Sequence, residues 1–192
     1  MTWLIAGLLI FLLPHCVRML ADGWRTRTLA RVGEGTYKGV YSLLSVAGFG
    51  LIIYGFSLAR QQPVQLWSPP VAMRHVAGLL MLLSFVLLAA AYVPGNQIKA
   101  RLHHPMVLSV KTWALAHLLA NGNVAHVLLF GAFLAWAVWN FVASRRRDRA
   151  QNTVYPAGTT NATLMTVAVG LLAWGLFAFV LHGWLIGVRP LG

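Results

Sequence analysis

Charge is what this sequence has least of. Only 9% of its 192 residues are Asp, Glu, Lys or Arg, whereas a soluble domain carries about 25%. Acids are scarcer still, with 3 Asp+Glu against 15 Lys+Arg. The acids are Asp22, Glu34 and Asp148, and all flank apolar blocks rather than lying deep inside one. This argues against a carboxylate proton relay, a sodium-coupled carrier or a paired-acid glycosidase. The single cysteine, Cys16, excludes an intrachain disulfide. It lies in the first apolar block and reads as a packed small residue, with soft-metal ligation the weaker alternative. No CxxCH is present for covalent heme attachment, no HExxH for a zinc protease, and no readable Ser-His-Asp set. No internal repeat is visible, which disfavours an inverted-repeat transporter. The net charge of +12 would point to nucleic acid in a soluble protein. Here the positives lie between apolar blocks without aromatic interleaving, so nucleic acid is not an expected partner.

What the chain does have is apolar length. Hydrophobic residues make up 59% of it, mean hydropathy is +0.71, and they come in blocks near the roughly 20 residues that cross a bilayer. Six blocks emerge, at residues 3–20, 37–58, 73–93, 105–120, 124–143 and 162–186. None alternates as a barrel strand does, so each is expected to be a helix, which satisfies its own backbone in lipid. The expectation is one all-α transmembrane domain over residues 1–192, with six helices in one bundle. The first block has no basic stretch before it and no clear cleavage site after it, so it reads as a retained span rather than a signal peptide.

Basic residues orient this array. Arg18, Arg25, Arg27, Arg31 and Lys38 flank the first connection, Lys99 and Arg101 the third, and Arg145, Arg146, Arg147 and Arg149 the fifth. Only Arg60 and Arg74 flank the second, residues 121–123 carry none, and Arg189 is in the tail. The positive-inside rule then puts odd connections in the cytoplasm and both termini in the periplasm of a bacterial inner membrane. The short fourth block tests the count: were it not to cross, the Arg145–Arg149 cluster would fall outside. The proline-rich second connection, residues 61–70, is expected to be non-helical, with Trp67 at headgroup level. Residues 145–160, polar and interrupted by Pro156 and Gly158, are expected to be the most mobile connection.

The fourth block concentrates the unusual chemistry. It carries Lys111, although a charge at bilayer depth costs roughly 2.5–3.5 kcal/mol. His104 and Lys111 share one helix face, while Trp113, His117 and Asn121, spaced by four, share another. A helix polar on two sides belongs centrally in a bundle. His15 follows Pro14 in the first block, about 18 Å below the outer surface by helical rise, and His117 lies roughly 20 Å from the cytoplasmic edge. Neutral imidazole is a ligand for heme iron, zinc or copper. Imidazoles from separate helices commonly hold a cofactor in a bundle core. The alternative for each is a bond to a backbone carbonyl across a helix interface. His75, His126 and His182 fall near the outer surface, where packing is the better reading. His104 precedes Pro105 at a helix start, where capping competes with chemistry. Lys111 either snorkels or pairs with an anion such as a heme propionate. Gly48, Gly50, Gly55, Gly170 and Gly175 read as packing sites, and the eight Trp residues as interface anchors and packing.

These residues also carry a resemblance. Pro14-His15, the run GEGTYKGVYS over residues 33–42, Leu66-Trp67-Ser68-Pro69-Pro70, His104-Pro105-Met106, WALAHLLANG over residues 113–122 and LFGAFLAWA over residues 129–137 occur in this order along nearly the whole chain. In this the chain resembles the NnrU family of bacterial inner-membrane proteins, which is linked to denitrification and nitric oxide metabolism. That family is similar to the plant zeta-carotene isomerase, a membrane protein that uses heme b in a redox-dependent cis–trans isomerisation. The resemblance implies heme b held by His15 and His117, with His104 and Lys111 tuning or orienting the site from the cytoplasmic half. It implies a role linked to nitric oxide or to isomerisation of an isoprenoid or polyene, with a membrane redox partner. It does not carry over a substrate, and enzymatic activity is left open. The competing expectation is a membrane accessory or assembly factor that binds no cofactor.

Overall fold

The structure, a computed structural model, describes residues 1–191. Among these residues there is no strand, only the isolated bridges Gln65–Asn123 and Asn96–Thr159. The helices are α1 (Thr2–Leu20), α2 (Asp22–Val32), α3 (Glu34–Gln61), α4 (Ala72–Tyr92), α5 (Gln97–Leu102), α6 (Pro105–Ala120), α7 (Val124–Ala150), α8 (Thr160–Leu176) and α9 (His182–Ile186). A π-helical turn, Phe177–Leu181, joins α8 to α9. Five helical stretches are long and apolar enough to cross a membrane: α1, α3, α4, α7 and Thr160–Ile186. The sixth apolar helix, α6, has 16 residues, about 24 Å of rise.

The described chain divides into two compact units. The first holds residues 1–67 and 123–136, and is built on the packing of α1 against α3. Glycine sets that contact. A Cβ on Gly55 would lie 2.2 Å from the backbone nitrogen of Leu4, and one on Gly48 2.6 Å from that of Phe11. From the facing side, a Cβ on Gly7 would lie 2.6 Å from the nitrogen of Ile52. In lipid there is no hydrophobic drive between helices, so close backbone approach through small residues supplies the attraction instead. Leu4, Leu8 and Ile52 are buried in the seam. Gly50 meets nothing within 4 Å and is no packing site, contrary to the sequence reading; the same holds for Gly175.

The second unit holds residues 68–122 and 137–191, with α4 packed against α6 and α8. Small side chains again set the distance. Ala90, Ala114 and Ala116 are fully buried. The Ser84 hydroxyl donates to the Ser109 carbonyl at 2.9 Å, and a Cβ on Gly170 would lie 2.6 Å from the Cα of Val86. Asn96 is 2% exposed. Its amide donates to the carbonyls of Ala90 (2.9 Å) and Val93 (2.6 Å), and its oxygen caps α5 by accepting from the Lys99 N–H (2.7 Å).

Three segments expected to be loops are helical, α5 in the third connection among them. α2 occupies the first connection, with no buried residue. α7 runs on to Ala150 because its arginines are good helix formers, so the connection expected at residues 145–160 shrinks to residues 151–159. That segment is tied down rather than loose. Thr159 N–H donates to the Gly95 carbonyl at 2.8 Å, Gly158 lies against the backbone of Asn96, and Tyr155 bonds Asp148.

Candidate functional site

His15 sits on α1 directly after Pro14, in the first unit. Its Nδ1 lies 2.6 Å from the Phe11 carbonyl oxygen. A carbonyl only accepts, so Nδ1 carries the proton and the lone pair of the neutral ring resides on Nε2. Aromatic rings surround the imidazole. Phe11 stacks on it at 4.4 Å, Tyr41 lies at 5.0 Å, and Trp136 meets it edge-on at 6.1 Å. The indole nitrogen of Trp136 is buried and has no hydrogen-bond partner among the described residues. Trp136 packs on His15, within the packing role expected of the tryptophans, but its donor has no acceptor among the described residues.

His117 sits on α6 in the second unit. Its Nδ1 lies 2.9 Å from the Trp113 carbonyl, and the Trp113 ring lies against it at 5.4 Å. The same reasoning leaves the lone pair on Nε2. The Asn121 amide donates back to the His117 carbonyl at 2.9 Å, occupying one of the carbonyls left over at the helix end. The four-residue spacing of Trp113, His117 and Asn121 is thus a hydrogen-bonded ladder. Tying one ring nitrogen to a backbone acceptor is how proteins fix the tautomer and aim of a metal-binding histidine. Both deep histidines use this device with the carbonyl four residues earlier. The bonds stay within each helix, rather than crossing a helix interface as the alternative expected.

His104 precedes α6 without capping it through its side chain, which removes the capping alternative. Its Nε2 instead donates to Asp148 Oδ2 at 2.8 Å. The Tyr155 hydroxyl donates to the same oxygen at 3.1 Å, and His103 Nδ1 lies 3.8 Å from it. His103 stacks on Tyr155 at 4.1 Å, and the Arg145 guanidinium contacts His103. The His103 backbone has φ 69°, a strained left-handed value for a non-glycine residue. The turn accepts this strain as it presents two consecutive imidazoles to one carboxylate. Burial pushes the Tyr155 phenol above its ordinary value, and the hydrogen bond and charge of Asp148 add to the shift. Sequence reasoning missed His103, Asp148 and Tyr155 as partners of His104. No local pattern in the sequence pairs them, since 44 residues separate His104 from Asp148.

Lys111 is half-buried on α6 and makes no hydrogen bond or ion pair among the described residues. Of the outer histidines, His126 Nδ1 bonds the Asn123 side chain at 2.6 Å and His182 Nδ1 bonds the Val188 carbonyl at 2.6 Å. Cys16 lines an apolar groove along α1 and α7 with Leu9, Leu12 and Ala132. Among the described residues no group of three or more His, Cys, Asp or Glu side chains is placed to hold a metal ion. The structure therefore gathers His104 into a carboxylate cluster and gives His15 and His117 matching tethers in separate units.

Long apolar helices, small-residue seams and tethered intramembrane histidines define a multi-pass helical membrane protein. The family model described as NnrU protein matches residues 3–190, and the chain belongs to the NnrU family. No curated protein and no solved structure matches the chain.

Proposed function

We propose that the protein is a six-span heme b protein of the bacterial inner membrane, with α6 as the short sixth span, both termini in the periplasm and His15 and His117 as the residues that would hold the heme. The observation that carries this reading is the shared tether. In each of the two histidines Nδ1 is committed to a carbonyl of its own helix, which fixes the tautomer that carries its lone pair on Nε2, the nitrogen a metal would take. The surroundings fit such a group. The rings of Phe11, Tyr41 and Trp136 supply an apolar, water-excluding wall at His15. Lys111, without a protein partner, is a cation suited to a propionate. When bound, heme b would supply one-electron redox chemistry, held by the neutral imidazoles of His15 and His117.

In this reading the Asp148 cluster stands at the cytoplasmic end of α6, where the arginine-rich connections also lie. It orients the start of the helix that bears Lys111 and His117. Membership of the NnrU family supports a role linked to nitric oxide and denitrification, or to redox-dependent isomerisation of an isoprenoid or polyene, served by a membrane redox partner.

The test is purification in detergent from heme-sufficient cells, followed by absorbance spectra of the oxidised and reduced protein. A Soret band with sharp reduced bands, lost in His15→Ala and His117→Ala but kept in His126→Ala, supports the reading. A folded, colourless protein refutes it and leaves the cofactor-free accessory role. Nitric oxide and a cis-polyene, offered in turn to the reduced protein, separate ligand binding from turnover.

A further inference from the structure

The orphaned indole of Trp136 carries a further assignment. A buried N–H without an acceptor costs about 1–3 kcal/mol, and such groups are rare in folded proteins. A phenylalanine would supply an aromatic ring there without burying a donor. The groups beside it offer little to accept the proton. In the His15 ring that it meets edge-on, Nδ1 is itself a donor to the Phe11 carbonyl, and the lone pair on Nε2 is the one the heme reading assigns to the iron. The indole N–H of Trp136, on α7, is therefore buried and unpaired among the described residues, on a ring that meets the His15 imidazole edge-on at 6.1 Å.

We propose that Trp136 is a ligand-binding residue whose N–H donates to an acceptor atom of the group bound at His15. This rests on the heme reading. The acceptor has one chemistry and two sources: a carboxylate oxygen at the edge of the porphyrin, or an oxygen or nitrogen atom of a small molecule taken up beside the iron. Either would satisfy the donor and remove the cost of burying it.

The test uses the heme-loaded protein and Trp136→Phe, which keeps an aromatic ring and removes the donor. Trp139→Phe, an exposed indole on the same helix, is the control. Heme loss to apomyoglobin about tenfold faster in Trp136→Phe alone assigns the porphyrin carboxylate, since one such bond is worth about a factor of ten. Unchanged heme loss with a shifted N–O stretching frequency of the nitric oxide adduct assigns the small-molecule acceptor. In wild type, the hydrogen-bond-sensitive indole band in ultraviolet resonance Raman should change on heme loading, and Trp136→Phe should lack that change. A heme-loaded Trp136→Phe that matches wild type in heme loss and N–O stretch, with an indole band indifferent to heme, overturns the assignment alone. A wild-type protein that takes up no heme overturns the heme reading and the assignment with it.

Discussion

Replacing Gly55 by alanine should loosen the first unit by an amount that its geometry sets. The added Cβ would lie 2.2 Å from the Leu4 nitrogen and 2.6 Å from the Trp3 carbonyl carbon. Both neighbours are backbone, so no side-chain rotation relieves the clash. α1 and α3 must separate locally by about 1 Å to restore van der Waals contact. The seam that buries Leu4 and Leu8 then opens, and overpacking of this kind costs about 1–3 kcal/mol. Gly48→Ala should cost about the same, because its Cβ would meet the Phe11 nitrogen at 2.6 Å. Gly50→Ala, on the same helix with nothing within 4 Å, should be neutral or stabilising by up to about 1 kcal/mol through helix propensity. Thermal unfolding of the three variants in one detergent, followed by circular dichroism, compares them directly. Gly48→Ala has a second consequence. Phe11 both stacks on His15 and accepts its Nδ1 proton, so on the proposed heme reading displacing Phe11 should also weaken heme retention more than Gly55→Ala does. Gly55→Ala and Gly48→Ala proteins as stable as Gly50→Ala would refute the glycine-seam reasoning.

Other perturbations test the second unit. Asn96→Ala strips the partners from the carbonyls of Ala90 and Val93 and from the Lys99 N–H, and should lower stability by about 2 kcal/mol in thermal unfolding. Asp148→Asn removes the charge that adds to the raised ionisation of Tyr155. The alkaline rise in tyrosinate absorbance near 295 nm assigned to Tyr155, identified by its absence in Tyr155→Phe, should therefore move to lower pH. It should stay above the ordinary value of 10.0, because burial, the larger cause, remains. The sign for stability follows. A phenol whose folded value is raised stabilises the fold fully below its ordinary value, and that contribution is lost as pH rises through the raised one.

The membrane helices were legible because long apolar runs leave the backbone few alternatives in lipid. Their ends were not. α3 begins at Glu34, where Lys38 pairs with Glu34 at 2.7 Å, and α7 continues through its arginines, since helix propensity does not need an apolar face. α2 carries no buried residue to mark it; its support is local, from Asp22–Arg25 at 3.9 Å and the Thr26 hydroxyl on the Asp22 carbonyl. Gly48, Gly55 and Gly170 were readable as packing positions. Gly50 looked identical in sequence and differs only because no helix lies over it. At the candidate site, the spacing of Trp113, His117 and Asn121 announced a shared face, and the structure turns that spacing into hydrogen bonds. The tether of His15 to Phe11 is the same four-residue relation, and was equally available. His104 with Asp148 was not, since 44 residues separate them and no local pattern links a histidine before one helix to an acid at the end of another. The orphaned nitrogen of Trp136 is a property of its surroundings, which no residue-by-residue reading contains.

The ligand set of the proposed heme iron is the most direct test of the central claim. Near-infrared magnetic circular dichroism of the ferric protein should show the low-spin charge-transfer band of two neutral histidine ligands. His15→Met and His117→Met should each move that band to the histidine–methionine position or abolish it. A ferric heme protein whose band stays in place in either variant, or a wild type with no such band, would contradict ligation by these two imidazoles.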